Sequence, residues 1–147
     1  MRAAHRQIIA PHLEPISEDV HEIVAGIVVM RKRTVQDSDA TEWQKRSKDA
    51  GLRLDATRRK VQYTFPDLNG AFRELSRASD HVATYKNLPG TNVDRLVKAY
   101  QQLANRVNKS VASSYRRGVP ASSLQQFLLW ADAKWVRHLW DKRPTKP

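Results

Sequence analysis

Histidines stand at positions 5, 12, 21, 81 and 138, and no two of them have the spacing that a helical zinc site such as HExxH requires. The chain has no cysteine, which removes thiolate nucleophiles, disulfides and Cys-ligated zinc together. Serines 110, 113, 114, 122 and 123 have no base placed by sequence to activate them. The five glycines are scattered, so no loop is built to cradle a phosphate. Asp49 and Asp55 lie in a basic stretch and read as salt-bridge partners. The sequence therefore assigns no catalytic residue, no metal ligand and no cofactor, and the expectation is a protein that is not an enzyme.

One catalytic pattern stays as an alternative. Arg6 and His12 have the Arg-x4–6-His spacing of the small helical ribonucleases of the HEPN class, although Pro11 argues against the helix the motif needs. Arg77 and His81 lie a turn apart, one residue too close.

Charge is more informative. Lys plus Arg total 26 against 15 Asp plus Glu, a formal +11, which favours polyanionic partners. The excess is polarised. Residues 93–147 hold eleven bases and three acids, whereas residues 11–30 hold four acids and no Lys or Arg. At about 100° per residue, Val93, Leu96, Val97, Tyr100, Leu103, Ala104, Val107, Val111 and Tyr115 fall on one side of a helix. Arg95, Lys98, Gln102, Arg106, Lys109 and Arg116 fall on the other, extending roughly 30 Å at about 1.5 Å per residue. Solvated faces usually mix signs. Here only Asp94, at the cap, is acidic. Arg95, Lys98, Arg106, Lys109 and Arg116 are thus candidate contacts to a nucleic-acid backbone, where each neutralised phosphate releases counterions. The competing reading is a solvated face whose acids come from a neighbour, with Glu18, Asp19 and Glu22 of the first helix as the source.

The segment LLWADAKWVRHLW, residues 128–140, carries three of the four tryptophans. Helical projection places Trp135 with Leu124, Phe127, Leu128, Ala131 and Leu139 at the centre of an apolar face, and so in the core. Trp140 joins Leu129 and Val136 on a flanking strip, half-buried and open to another subunit. Trp130 lies with Lys134, Arg137 and Asp141 on the polar side. It is either a base-stacking ring, a partner anchor, or one half of an internal cation–π pair with Lys134.

The elements that must hold these groups are helical. Ser17-Glu18-Asp19 after Pro15 starts a first helix over 17–34, with Val20, Ile23, Val24, Ile27 and Val28 on its apolar face. Ser38 or Asp39 caps a second over 39–63, whose Trp43, Ser47, Ala50, Leu54, Thr57 and Val61 form a narrow seam. VQYTF at 61–65 alternates like a strand but has no partner strand. Pro66-Asp67 opens a third, ended by NLPG at 87–90, with Leu68, Phe72, Leu75, Ser79 and Val82 on one face. Thr91 and Asp94 form a capping box for a fourth, which runs to Arg117 and stops at Gly118 and Pro120. Ser122 or Ser123 starts a fifth, reaching about Asp141. Residues 1–16 and 142–147 are expected to be extended or frayed. The sum is an all-α, single-domain bundle of about five helices. The longest apolar run, Ile23–Met30, is far short of a membrane span, and the first residues lack the long apolar segment of a secretory signal. A cytoplasmic protein is expected.

The 26 residues from Tyr115 to Trp140, YRRGVPASSLQQFLLWADAKWVRHLW, resemble the tail of the small helical subunits of CRISPR surveillance complexes. Those subunits share a Gly-Val/Ile-Pro turn, an apolar helix ending in Trp, and Val-Arg before a last Trp; the N-terminal half of this chain shows no such match. The resemblance implies a non-catalytic bundle that supports guide RNA or displaced DNA on a basic face. Two classes of function follow from the sequence. One is a nucleic-acid-binding bundle, DNA or RNA, alone or as a subunit of a larger nucleoprotein complex. The other is a protein-interaction or scaffold subunit that uses the Trp140 strip or the Trp43–Val61 seam and whose basic face meets an acidic partner.

Overall fold

A computed structural model describes residues 2–31, 37–62, 68–88, 91–118 and 121–144. It contains six α-helices and, among the described residues, no strand: α1 (Arg2–Arg31), α2 (Asp37–Val61), α3 (Asn69–Ser76), α4 (Ala78–Lys86), α5 (Val93–Arg117) and α6 (Ser123–Asp141). The all-α expectation holds, with one helix more than foreseen.

The first helix starts at Arg2, not near residue 17, and runs through Pro11 and Pro15. Proline removes a donor and crowds the preceding turn, which is why it reads as a helix boundary. Here burial overrides that local cost. Ile9 and Ile16 are fully enclosed and continue the apolar line of Val20, Ile23 and Ile27. Residues 2–16 are therefore part of the bundle rather than an extended tail.

α1 and α2 pack closely along their lengths, and small residues permit it. A Cβ on Gly26 would collide with the Ser47 side chain, whose hydroxyl donates to the Ile23 carbonyl at 3.1 Å. Ser47, Ala50, Leu54 and Val61, four members of the expected seam, are buried inside the chain. That seam is accordingly occupied and does not offer the partner surface expected of it. Gly51, which weakens the helix by propensity, lets α2 touch the end of α3; a Cβ there would lie 2.5 Å from the Ser76 carbonyl oxygen. α2 begins at Asp37, ahead of the expected Ser38 or Asp39 cap. Its end at Val61 falls before most of VQYTF, whose residues 63–65 lie outside the described ones, as do Pro66, Asp67, Pro89, Gly90 and Pro120.

The third expected helix is two. Arg77, at φ −99° and ψ −1°, interrupts it, and its N–H bonds to the Glu74 carbonyl at 3.2 Å, a tighter turn than α-helical. Leu68, Phe72, Leu75, Ser79 and Val82 are nevertheless all buried, because both pieces keep one apolar line against the core. At the start of α5, Asn92 is the cap and accepts from the Asp94 N–H at 3.1 Å. Thr91 instead donates to the carbonyls of Tyr85 and Leu88, holding the α4–α5 turn. Gly118, at φ 64°, closes α5 in the left-handed conformation glycine favours. Ser122 and Gln125 form a reciprocal capping box that starts α6.

Candidate functional site

α5 places ten residues in the core, Leu96, Tyr100, Leu103 and Val107 among them. Helical periodicity then forces Arg95, Lys98, Lys109 and Arg116 outward, and all four are exposed. Lys98, Gln102, Asn105, Arg106 and Lys109 rim a shallow depression of about 350 Å³ that contains no acid. Lys98, Lys109 and Arg116 make no ion pair among the described residues.

Arg106 differs from the rest of the stripe. Its side chain is 29% exposed and its Nε donates to Asp132 of α6 at 3.1 Å. It ties α5 to α6 and is largely neutralised by a half-buried acid. Two of the four first-helix acids are engaged elsewhere: Asp19 accepts from Arg53 at 2.9 Å and Glu22 from Arg46 at 2.8 Å, both of α2. Glu14 and Glu18 line a groove of about 720 Å³ that Arg116 also borders, so they temper that end of the stripe without pairing with it. Asp94 takes Arg31 at 3.6 Å.

The tryptophans fall differently from the helical projection. Trp135, expected at the centre of the core, is 40% exposed, and Leu124 and Phe127 beside it are 68% and 59% exposed. The buried face of α6 is Leu129, Val136 and Leu139, with Trp140 packed against the core. Trp140 stacks on His81 with ring centroids 3.8 Å apart, and Arg143 covers it at 3.9 Å. The Trp140 strip is thus filled from within the chain. α6 is apolar on two sides, and the Arg106–Asp132 tie together with the His81–Trp140 stack selects which one faces in.

Trp130 is 57% exposed, with Lys134 Nζ 5.6 Å from its ring and Phe127 at 6.0 Å. It lies on the α3 flank of α6, away from the stripe, where it borders a depression of about 430 Å³ with Glu74 and Arg137. The ring that does accompany the stripe is Trp135, over which the Arg95 guanidinium sits at 5.0 Å. Sequence reasoning missed Trp135 because it put that face of α6 inside.

The HEPN-type pair fares no better. Arg6 and His12 do share α1, against the expectation drawn from Pro11. The Arg6 guanidinium, however, donates to the carbonyls of Tyr115 and Arg116 at 3.0 and 2.6 Å, satisfying the open end of α5. Buried polar groups gather instead at His81, whose Nδ1 is hydrogen-bonded to the Tyr100 hydroxyl at 3.0 Å. Burial, aided by Arg77, lowers the His81 pKa to about 4 and keeps the ring neutral; burial also pushes Tyr100 up. No group of His, Asp or Glu among the described residues could hold a metal ion, and no described helix is long and apolar enough to cross a membrane. Comparison with protein-family models, with curated proteins and with solved structures found no match.

Proposed function

We propose that this bundle is a non-enzymatic nucleic-acid-binding protein that grips backbone phosphates along the outer face of α5, alone or as a subunit of a nucleoprotein complex. One observation carries the reading: Lys98, Lys109 and Arg116 project from a single helix with no ion pair among the described residues, and the depression between the two lysines has no acidic wall, Glu14 and Glu18 lining only the groove at the Arg116 end. Such a face repels itself unless a polyanion lies on it. Arg95 over Trp135 adds a cation and a ring at the same edge, a combination suited to unpaired bases. Arg106 contributes chiefly by fixing α6 beside the stripe.

Electrophoretic shifts with single-stranded and duplex DNA and RNA test the reading across salt. Affinity should fall steeply, by about 0.7 to 0.9 log units per neutralised phosphate for each log unit of salt, and depend little on sequence in duplexes. Absence of binding to every nucleic acid at low salt would favour the second reading, a protein-interaction subunit. That reading draws its support from the exposed Leu124, Phe127, Trp130 and Trp135 on α6.

A further inference from the structure

The depression between α3 and α6 holds a group that the backbone-binding reading leaves unused. Glu74 is 5% exposed, yet its carboxyl makes no hydrogen bond and no ion pair among the described residues. It opens instead into the depression of about 430 Å³ shared with Gly70, Trp130, Lys134 and Arg137. Neither carboxyl oxygen is fully shut off from solvent, but burial still penalises the charged form and raises its pKa, Asp141 adding to the shift and Arg137, Arg77 and Arg73 opposing it. A ligand that brings N–H donors would offset that cost. It would also find a flat ring in Trp130 and, around the mouth, the cations of Lys134 and Arg137. Arg137 is only loosely held by Asp141, at 4.0 Å. The volume lies in the range of small-ligand sites, about 300–1,000 Å³, and admits one base but no duplex.

We propose that this depression accepts a single unstacked nucleobase, laid on Trp130 and hydrogen-bonded to Glu74, and that it prefers bases carrying an amino group on their pairing edge. The proposal rests on the nucleic-acid reading above and deepens it. Guanine, adenine and cytosine each offer a donor amino group to a carboxyl oxygen, and guanine adds its ring N–H. Thymine and uracil offer only their ring N3–H, flanked by two carbonyl oxygens that would meet the second carboxyl oxygen unfavourably. A strand whose backbone follows α5 would reach the depression across the outward rings of α6, Trp135 and Phe127.

The test uses fluorescence anisotropy with thymidylate strands of about a dozen nucleotides, with and without one central guanosine, adenosine or cytidine. The native protein should bind the substituted strands about three- to tenfold more tightly, the scale of one ordinary net hydrogen bond. Glu74→Met, which removes both acceptor oxygens at nearly the same length, should remove that advantage while leaving thymidylate affinity and its salt dependence unchanged. Gly70→Leu provides an independent arm: a Cβ on Gly70 meets nothing within 4 Å, so the larger side chain can fill the depression without disturbing the fold. It should remove the same advantage, and it decides the matter alone if Glu74→Met does not fold. Equal affinity of the native protein for all strands overturns the base site and leaves the phosphate stripe standing. An advantage that survives in the folded variants overturns it as well. If no strand binds at low salt, the underlying reading fails and takes the base site with it.

Discussion

Lys98, Lys109 and Arg106 occupy one face of one helix, but the structure separates their roles. The two lysines end in solvent, whereas Arg106 ends on Asp132. The double variant Lys98→Gln/Lys109→Gln should therefore weaken nucleic-acid binding and lower its salt slope by roughly one to two units. Its stability should stay within about 0.5 kcal/mol of native, because exposed, unpaired side chains contribute little. Arg106→Gln should do the reverse. It strands a mostly buried Asp132 and should cost about 1–3 kcal/mol in urea unfolding. If Arg106→Gln left stability untouched and damaged binding most, Arg106 would belong with the open lysines.

Among the elements, α5 was legible in detail because its two faces differ sharply and tertiary packing had no reason to rotate it. Its inward residues are buried as the period of 3.6 demands, Val93 and Tyr115 at the rims excepted. α6 was not legible, since Leu129-Val136-Trp140 and Leu124-Phe127-Trp135 are comparably apolar faces. Only the partners on other helices, Asp132's arginine and Trp140's histidine, choose between them. The start of α1 was misread for a related reason: Pro11 and Pro15 are strong local signals, and nothing local reports that Ile9 and Ile16 have a core to enter. Gly51 is a further case where propensity and packing disagree. Gly51→Ala improves helix propensity by about 1 kcal/mol, yet its methyl would press on the Ser76 carbonyl. That oxygen belongs to backbone and cannot swing aside. Thermal unfolding of Gly51→Ala should show a net loss of about 1–3 kcal/mol, and a net gain would mean that α2 and α3 can separate freely at this point.

Among the described residues Lys98, Lys109 and Arg116 of α5 are cations without an ion pair, and a buried polar cluster of His81, Tyr100 and Glu74 lies toward the α6 side. That cluster gives stability a pH dependence of defined sign. The unfolded chain protonates a free histidine near 6.5, while folded His81 takes a proton only near 4. As pH falls between these values the unfolded state binds the proton first, so His81's contribution is whole above 6.5 and lost on the way to 4. The melting temperature should fall across that window, and His81→Asn should flatten the decline. Glu74 acts with the opposite sign, because its pKa is raised: the unfolded state loses that proton first as pH rises. Glu74→Gln should therefore melt higher than the native protein at neutral pH, while an unchanged melting curve would mean that the carboxyl bears no burial cost. A last consequence concerns how α6 is held. Only Leu129, Val136 and Leu139 of its nineteen residues are buried, against ten in α5. The opening free energy of α6 is then the lowest of the long helices, and its amides should exchange hydrogen for deuterium well before those of α5. If a nucleic-acid strand lies over both helices, as proposed, it would close that opening, and the exchange clock of α6 would become a footprint of the ligand, readable without altering a single residue.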